Sequence, residues 1–250
     1  MYDEIIRVIE NTCGRLSSRE KLKMLLTLEK ELYKLTSAAA VDYNHGIHPK
    51  HRLISYHDFF EDTLRAVNAK CVLDIGCGNG VVARSILMTT DARLTGIDIC
   101  SDAVRSASAY NAEYVNGGRA EFVCADASTL EAKQLKFTDY DVAILSNVLE
   151  HVSKCSRKRL LSSVGRLGVK YFLVRVPAYD RDWRVPMMEE LDIDYRLDNT
   201  HYVEYLRDEL ISELNNFGLH VRSLLPRWGE YWVVAEARRL SLEGHSYENT

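Results

Sequence analysis

From residue 70 to residue 237 the chain alternates short apolar runs with longer stretches whose apolar positions recur at helical spacing. The runs at 71–75, 93–97, 120–124, 141–145 and 170–176 are predicted strands. The segments 80–89, 101–114, 157–166 and 207–217 are predicted helices. Strand–helix alternation of this kind argues for an α/β architecture, a doubly wound and mainly parallel sheet. The end of the chain breaks the rhythm. Residues 220–226 and 230–237 are two strand-like runs joined through Arg227-Trp228-Gly229, which predicts a terminal antiparallel hairpin and seven strands in all. Residues 1–42 are helical in pattern. Ser17-Ser18-Arg19-Glu20 is a capping-box candidate, and Leu22, Leu25, Leu26, Leu32 and Leu35 form an apolar stripe expected to pack. Residues 43–57 are irregular and rich in histidine, and 58–69 reads as a further helix ending near Asn68. The division expected is an N-terminal helical extension and lid over 1–69, a main domain over 70–240 and a disordered polar tail over 241–250.

Composition changes this picture little. A chain of 250 residues with 46% hydrophobic and 27% charged residues buries one sizeable core. A formal net charge of −4 gives no reason to expect nucleic acid as a bulk electrostatic partner. The six cysteines, at 13, 71, 77, 100, 124 and 155, contain no CxxC pair and read as small reduced core residues of a cytoplasmic protein. No apolar run approaches the ~20 residues of a membrane span, and Met1-Tyr2-Asp3-Glu4 lacks the basic start of a signal peptide.

Four positions at the carboxyl ends of successive predicted strands carry candidate chemistry, because ligands of open α/β sheets bind there. The first is Val72-Leu73-Asp74-Ile75-Gly76-Cys77-Gly78-Asn79-Gly80, an apolar run ending in an acid and three glycines before a helix start. Such a turn needs residues that accept unusual backbone angles and let a ligand approach. Asp74 is expected to hold the loop through its amides. The second is Asp98, in Thr95-Gly96-Ile97-Asp98-Ile99, where an acid accepts bonds from both ribose hydroxyls of a nucleoside. The third is Cys124-Ala125-Asp126-Ala127, and the fourth is Asp141 through Val152, containing Ser146-Asn147-Val148-Leu149-Glu150-His151. Taken singly, the glycines also serve plain tight turns, and Asp98 and Asp126 also serve as helix caps.

Taken together and in this order, the four segments resemble the class I S-adenosylmethionine-dependent methyltransferases. The resemblance covers roughly residues 70–237. It is closest to the methyltransferase type 11 branch, with ubiquinone-biosynthesis O-methyltransferases and glycan or small-molecule methyltransferases. It implies a Rossmann-like seven-stranded fold and S-adenosyl-L-methionine as cofactor. The implied cofactor contacts are Gly76, Gly78, Gly80, Asp74, Asp98 and Ile99, with Asp126 and Ala127 at the adenine edge and Ser146 and Asn147 on the methionine side. A nicotinamide-dependent oxidoreductase also wants a glycine turn and an acid. Here, however, the third glycine follows the second by two residues, and the terminal hairpin has no role in that reading. A catalytically degenerate binding protein is the third reading, disfavoured by the intact glycines and acids.

Methyl transfer from a sulfonium is an in-line displacement in which the protein aligns the acceptor and excludes water. A hydroxyl acceptor also needs a base. His151 is the first candidate, and capping its own loop is its alternative role. His201, in Asp198-Asn199-Thr200-His201, is the second. Some members of the resembling group carry Glu-x-x-Glu-His and a distant His as a metal site. Asn147 replaces the first acid here, so no metal is expected. His45, His48, His51 and His57 cluster before the main domain and read as a lid over the cofactor's methionine end, or as a solvated linker. Lys50-His51-Arg52-Leu53-Ile54 resembles a Leu-His-Arg-Ile segment of quinone O-methyltransferases, which implies Arg52 at the cofactor carboxylate. Residues 175–184 mix aromatic rings with both charges at the expected acceptor mouth. The expected activity is methyl transfer to an oxygen of a small polar or sugar-containing acceptor, with no nucleic-acid partner.

Overall fold

A computed structural model describes residues 2–44, 47–53 and 55–238. The tail expected at 241–250 and His45 lie outside the described residues. Seven strands form one sheet: β1 (Cys71–Ile75), β2 (Arg93–Asp98), β3 (Ala120–Cys124), β4 (Val142–Ser146), β5 (Tyr171–Pro177), β6 (Leu219–Arg227) and β7 (Glu230–Ala237). Their order is β3-β2-β1-β4-β5-β7-β6. The first five are parallel, whereas β7 runs antiparallel to both β5 and β6. The predicted sheet and hairpin are therefore present.

The continuous apolar runs have a physical cause. Successive side chains of a strand point to opposite faces, so a strand covered on both faces must be apolar throughout. Leu73, Ala143, Leu145, Phe172 and Val174 belong to one core, while Val72, Val142, Ile144 and Leu173 belong to the other. The first core lies under α7 (Lys154–Gly165) and α9 (Arg207–Asn216). The second lies under α3 (Asp58–Ala66) and α4 (Val81–Thr89), with Trp232 fully buried in it.

Three local expectations need correction. The helix predicted over 101–114 is two helices, α5 (Ser101–Tyr110) and α6 (Ala112–Asn116). The break is at Asn111, which is fully buried and donates Nδ2 to the carbonyls of Gly80 (3.1 Å) and Ala107 (3.0 Å). A side-chain amide that serves two backbone carbonyls competes with the helix ladder. The helix α8 (Arg184–Glu190) is absent from the predicted helices, because seven residues with Pro186 in the first turn carry too little periodicity. The leucine stripe packs only in part. α1 (Tyr2–Cys13) and α2 (Ser18–Tyr43) form, and the Ser17–Glu20 capping box is made. Yet only Leu26 of the stripe is buried, against Met188 and Leu191, while Leu25, Leu32 and Leu35 are exposed. The cysteines also divide: Cys71 and Cys77 are buried, and Cys100, Cys124 and Cys155 are exposed. No described helix is long and apolar enough to cross a membrane.

The glycine turn before α4 separates two demands on backbone. Gly80 caps α4 at φ +76°, and a Cβ there would lie 2.6 Å from Asn111 Nδ2 and 2.9 Å from Ala107 Cβ. Gly78 has φ +51°, and a Cβ there would meet nothing within 4 Å. Gly80→Ala is expected to cost about 2–4 kcal/mol, a left-handed penalty plus overpacking, and Gly78→Ala about 1–2 kcal/mol from the backbone alone. Urea denaturation of the two variants checks the order; equal losses would mean that the Gly80–Asn111 contact does not constrain the fold.

Candidate active site

The glycine turn is held by its neighbour strand. The amides of Gly76 and Cys77 donate to the Ile97 carbonyl at 2.7 and 3.0 Å, and the Gly78 amide donates to Asp98 Oδ2 at 2.9 Å. Asp98 Oδ1 accepts from the Cys100 amide at 2.9 Å, so this acid both clamps the loop and receives an amide at the entry to α5. Asp74 Oδ2 is buried with no hydrogen-bond partner, and burial, helped by the charge of Asp98, pushes the pKa of this acid up to about 7 against the opposing pull of Arg175.

Two cavities flank the turn. One, of about 460 Å³, is bounded by Asp98, Ile99, Asp126 and Ala127. There Asp126 accepts from the Ser128 amide at 2.8 Å, which is the capping alternative, while still lining the cavity. The other, of about 220 Å³, is bounded by Asp74, Gly78, Ser146, Arg175 and, from the His-rich segment, His48 and Lys50. Gly76 and Asn147 line both. Gly80 lines neither and acts through packing. The described residues thus fit an elongated ligand bent over the glycine turn, with acids at one end and charges of both signs at the other.

Asn147 is the junction. It sits in the left-handed region at φ +57°, directly after β4. Its Oδ1 accepts from Arg175 Nε at 2.9 Å and from Lys50 Nζ at 3.2 Å. Its Nδ2 donates to Glu150 Oε1 at 3.0 Å and to Glu230 Oε1 at 3.3 Å. Lys50 Nζ and the Tyr56 hydroxyl also donate to Glu230, each at 3.3 Å. Burial pulls the Lys50 pKa below its ordinary value, although Glu230 opposes this. Sequence reasoning missed Lys50 and Glu230 and placed Arg175 only at the acceptor mouth. An arginine inside the apolar run 170–176 was the available signal.

Within the His-rich segment, His48, Lys50 and His51 line the cavity of about 220 Å³, whereas Arg52 does not. The core of the segment is a 3-10 turn, Pro49–Arg52. His51 Nδ1 and His57 Nε2 are 3.0 Å apart, and burial lowers their pKa values to about 3 and about 4. Arg52 is exposed and bounds none of the cavities described here.

Beyond Asn147 opens a third chamber of about 440 Å³, continuous in its lining with a fourth of about 450 Å³ through Tyr33, Lys34, Lys50 and Glu230. His151 and His201 lie here, with ring centroids 4.7 Å apart. His151 Nδ1 is 2.8 Å from Thr200 Oγ1, and His201 Nδ1 is 3.0 Å from Glu204 Oε1. Burial, then His201, lowers the His151 pKa, so the ring is neutral near pH 7. One ligand atom from each of Glu150, His151 and His201 lies within 4.8 Å of the others. Sequence reasoning weighs Glu150, His151 and His201 together as a disfavoured metal site; the fold brings their ligand atoms close together.

Comparison with known proteins agrees with this arrangement. Residues 72–168 match the family described as a methyltransferase domain. A ubiquinone biosynthesis O-methyltransferase of Paraburkholderia phymatum is 32% identical over 116 residues, covering 46% of this chain and 48% of that protein. A trans-aconitate 2-methyltransferase of Streptomyces avermitilis is 35% identical over 82 residues, covering 32% and 29%. The chain spans 37–50% of the length of the first curated relatives it matches. Among solved structures, magnesium protoporphyrin IX methyltransferase of Synechocystis with bound S-adenosylhomocysteine superposes with TM-score 0.57 at 17% identity, over 73% of this chain and 82% of that one. The small RNA methyltransferase HEN1 gives 0.61 at 15%, over 73% and 25%. At such identities the likeness is one of fold. The family match over residues 72–168 and the likeness in fold support a class I S-adenosylmethionine-dependent methyltransferase domain, with S-adenosylmethionine as its cofactor.

Burial pushes Glu150 up to about 7 as well. An acid whose folded pKa is raised stabilises the fold most below its ordinary value and loses that contribution as pH rises through the folded value. Glu150→Gln removes this dependence. Relative to the parent protein it is expected to gain on the order of 3 kcal/mol between pH 4.5 and pH 8. Urea titrations across that range check it, and a constant difference would place Glu150 in contact with solvent.

Proposed function

We propose that the chain transfers a methyl group to an oxygen of a small polar or sugar-containing acceptor in the cytoplasm, with no nucleic-acid partner. The observation that carries this reading is the position of His151. It lines both the Asp98–Asp126 cavity and the chamber beyond Asn147, so it stands where cofactor and acceptor would meet. Asp98 holds the ribose, and Asp126 with the Ala127 amide reads the adenine edge, with Ile99 beside it. Ser146 and Asn147 line the methionine side. The chamber suits a polar acceptor because Tyr33, Trp228, Lys34 and Asp198 give it rings and charges of both signs.

S-adenosylmethionine, when bound, supplies an electrophilic methyl group and leaves as the thioether. His151, neutral near pH 7 and oriented by Thr200, takes the acceptor's hydroxyl proton as the oxygen is alkylated. His201 is fixed by buried Glu204, itself tied to Arg181 and to the Leu197 amide. The convergence of Glu150, His151 and His201 also supports a second reading, in which the three would hold a divalent cation able to supply Lewis-acid activation of an acceptor hydroxyl. A histidine whose Nδ1 is anchored on a carboxylate leaves Nε2 for a metal.

Turnover with methyl-labelled cofactor against metabolite and glycan extracts, read by mass spectrometry, tests the activity. His151→Ala is expected to lower turnover by about 10²–10⁴-fold, with cofactor affinity changed less than about tenfold. Full activity of the variant from pH 6 to 9 would contradict a base at this position. Activity that survives a chelator favours the base, and loss restored by added Mg²⁺ or Mn²⁺ favours the cation.

A further inference from the structure

Arg175 is 2% exposed, at the carboxyl end of β5, in register with Ser146 of β4. Its backbone carbonyl accepts from the Asn147 amide at 2.8 Å, and its Nε donates to Asn147 Oδ1 at 2.9 Å. The guanidinium carbon stands 4.7 Å from the Tyr56 ring centroid and 4.9 Å from that of Trp232. These rings and the Asn147 bond fix its orientation. One end of the fork is left over. Nη1 is buried with no hydrogen-bond partner, and Arg175 lines the methionine-side cavity. An unsatisfied donor on a buried cation is expensive, so its presence calls for an acceptor.

The local charge points the same way. Half-buried Lys50 and buried Arg175 stand 3.3 and 3.7 Å from the Glu230 carboxylate, which they share. Across the same cavity Asp74 Oδ2 is also buried and unpartnered. A cavity of about 220 Å³ with one unpaired guanidinium donor and one unpaired carboxyl oxygen is complementary to the carboxylate and ammonium of an α-amino acid. We infer that Arg175, carried on β5, is the group that holds the α-carboxylate of the bound cofactor's methionine moiety. The assignment rests on reading the glycine-turn cleft as the cofactor site. It moves to the sheet the task that sequence resemblance gave to exposed Arg52, and lets the Lys50 lid close over a carboxylate already fixed from below.

The test compares two ligands that differ in the amino-acid end. S-adenosylhomocysteine carries the carboxylate, and 5′-methylthioadenosine lacks the whole amino-acid moiety. By calorimetry, Arg175→Met is expected to weaken S-adenosylhomocysteine about ten- to a hundredfold while leaving methylthioadenosine within about twofold. Equal weakening of both ligands, or of neither, overturns the assignment. Binding of neither by the parent protein would remove the cofactor reading itself. A readout independent of the variant's folding is the arginine side-chain ¹⁵N–¹H spectrum of the parent. A slowly exchanging guanidinium signal should move with S-adenosylhomocysteine and stay with methylthioadenosine. No such signal, or one moved by both, again overturns it.

Discussion

The side-chain amide of Asn147 ties together four side chains at the carboxyl edge of the sheet. Through it β4 is bonded to Arg175 of β5, Lys50 of the lid, Glu230 at the start of β7 and Glu150 of the following turn. An amide is suited to this, since it offers two donors and two acceptor sites without a charge of its own. The residue accepts a left-handed backbone to reach all four, a conformation that asparagine tolerates better than most side chains. Burying ions in this way costs several kcal/mol each unless they are paired and hydrogen-bonded. The two-sided apolar cores of the sheet supply the stability against which such a cluster stands.

Function follows from where the strands end. In a doubly wound sheet the loops after parallel strands converge at one edge, and here the edge holds the glycine turn, Asp98, Asp126, Asn147 and Arg175. The turn is a rigid saddle because three of its amides are already bonded to Ile97 and Asp98. A ligand therefore meets preorganised backbone, which limits the ordering cost of binding. The two cavities beside the saddle share Gly76 and Asn147, and His151 lines both the outer one and the chamber beyond Asn147.

The sheet was legible because burial on both faces forces uninterrupted apolar runs, and these runs carried the strand positions to within one or two residues. The four candidate segments were legible as strand ends because the apolar runs mark where each strand stops. What stayed hidden depends on contacts between distant parts of the chain. Asn111 breaks a helix because it packs on Gly80, a fact that helical periodicity does not encode. Lys50 rather than Arg52 turns inward because the 3-10 turn at Pro49–Arg52 rotates the two side chains apart. The role of Glu230 appears only when β7 is laid beside β5, which pairs residues far apart in sequence. His151 and His201 were each visible singly, but their shared chamber required the segment 177–206 to fold back over the β4 loop, where the Tyr202 amide donates to the Glu150 carbonyl at 2.7 Å.

Hydrogen exchange by mass spectrometry, with and without saturating S-adenosylhomocysteine, tests the central claim that one edge of the sheet is the cofactor cleft and the His-rich segment its lid. The account predicts added protection in peptides spanning 47–53, 76–80, 98–99 and 125–128, with α1 and the β6–β7 turn unchanged. Unchanged exchange in all four segments, or protection confined to other parts of the chain, would contradict it.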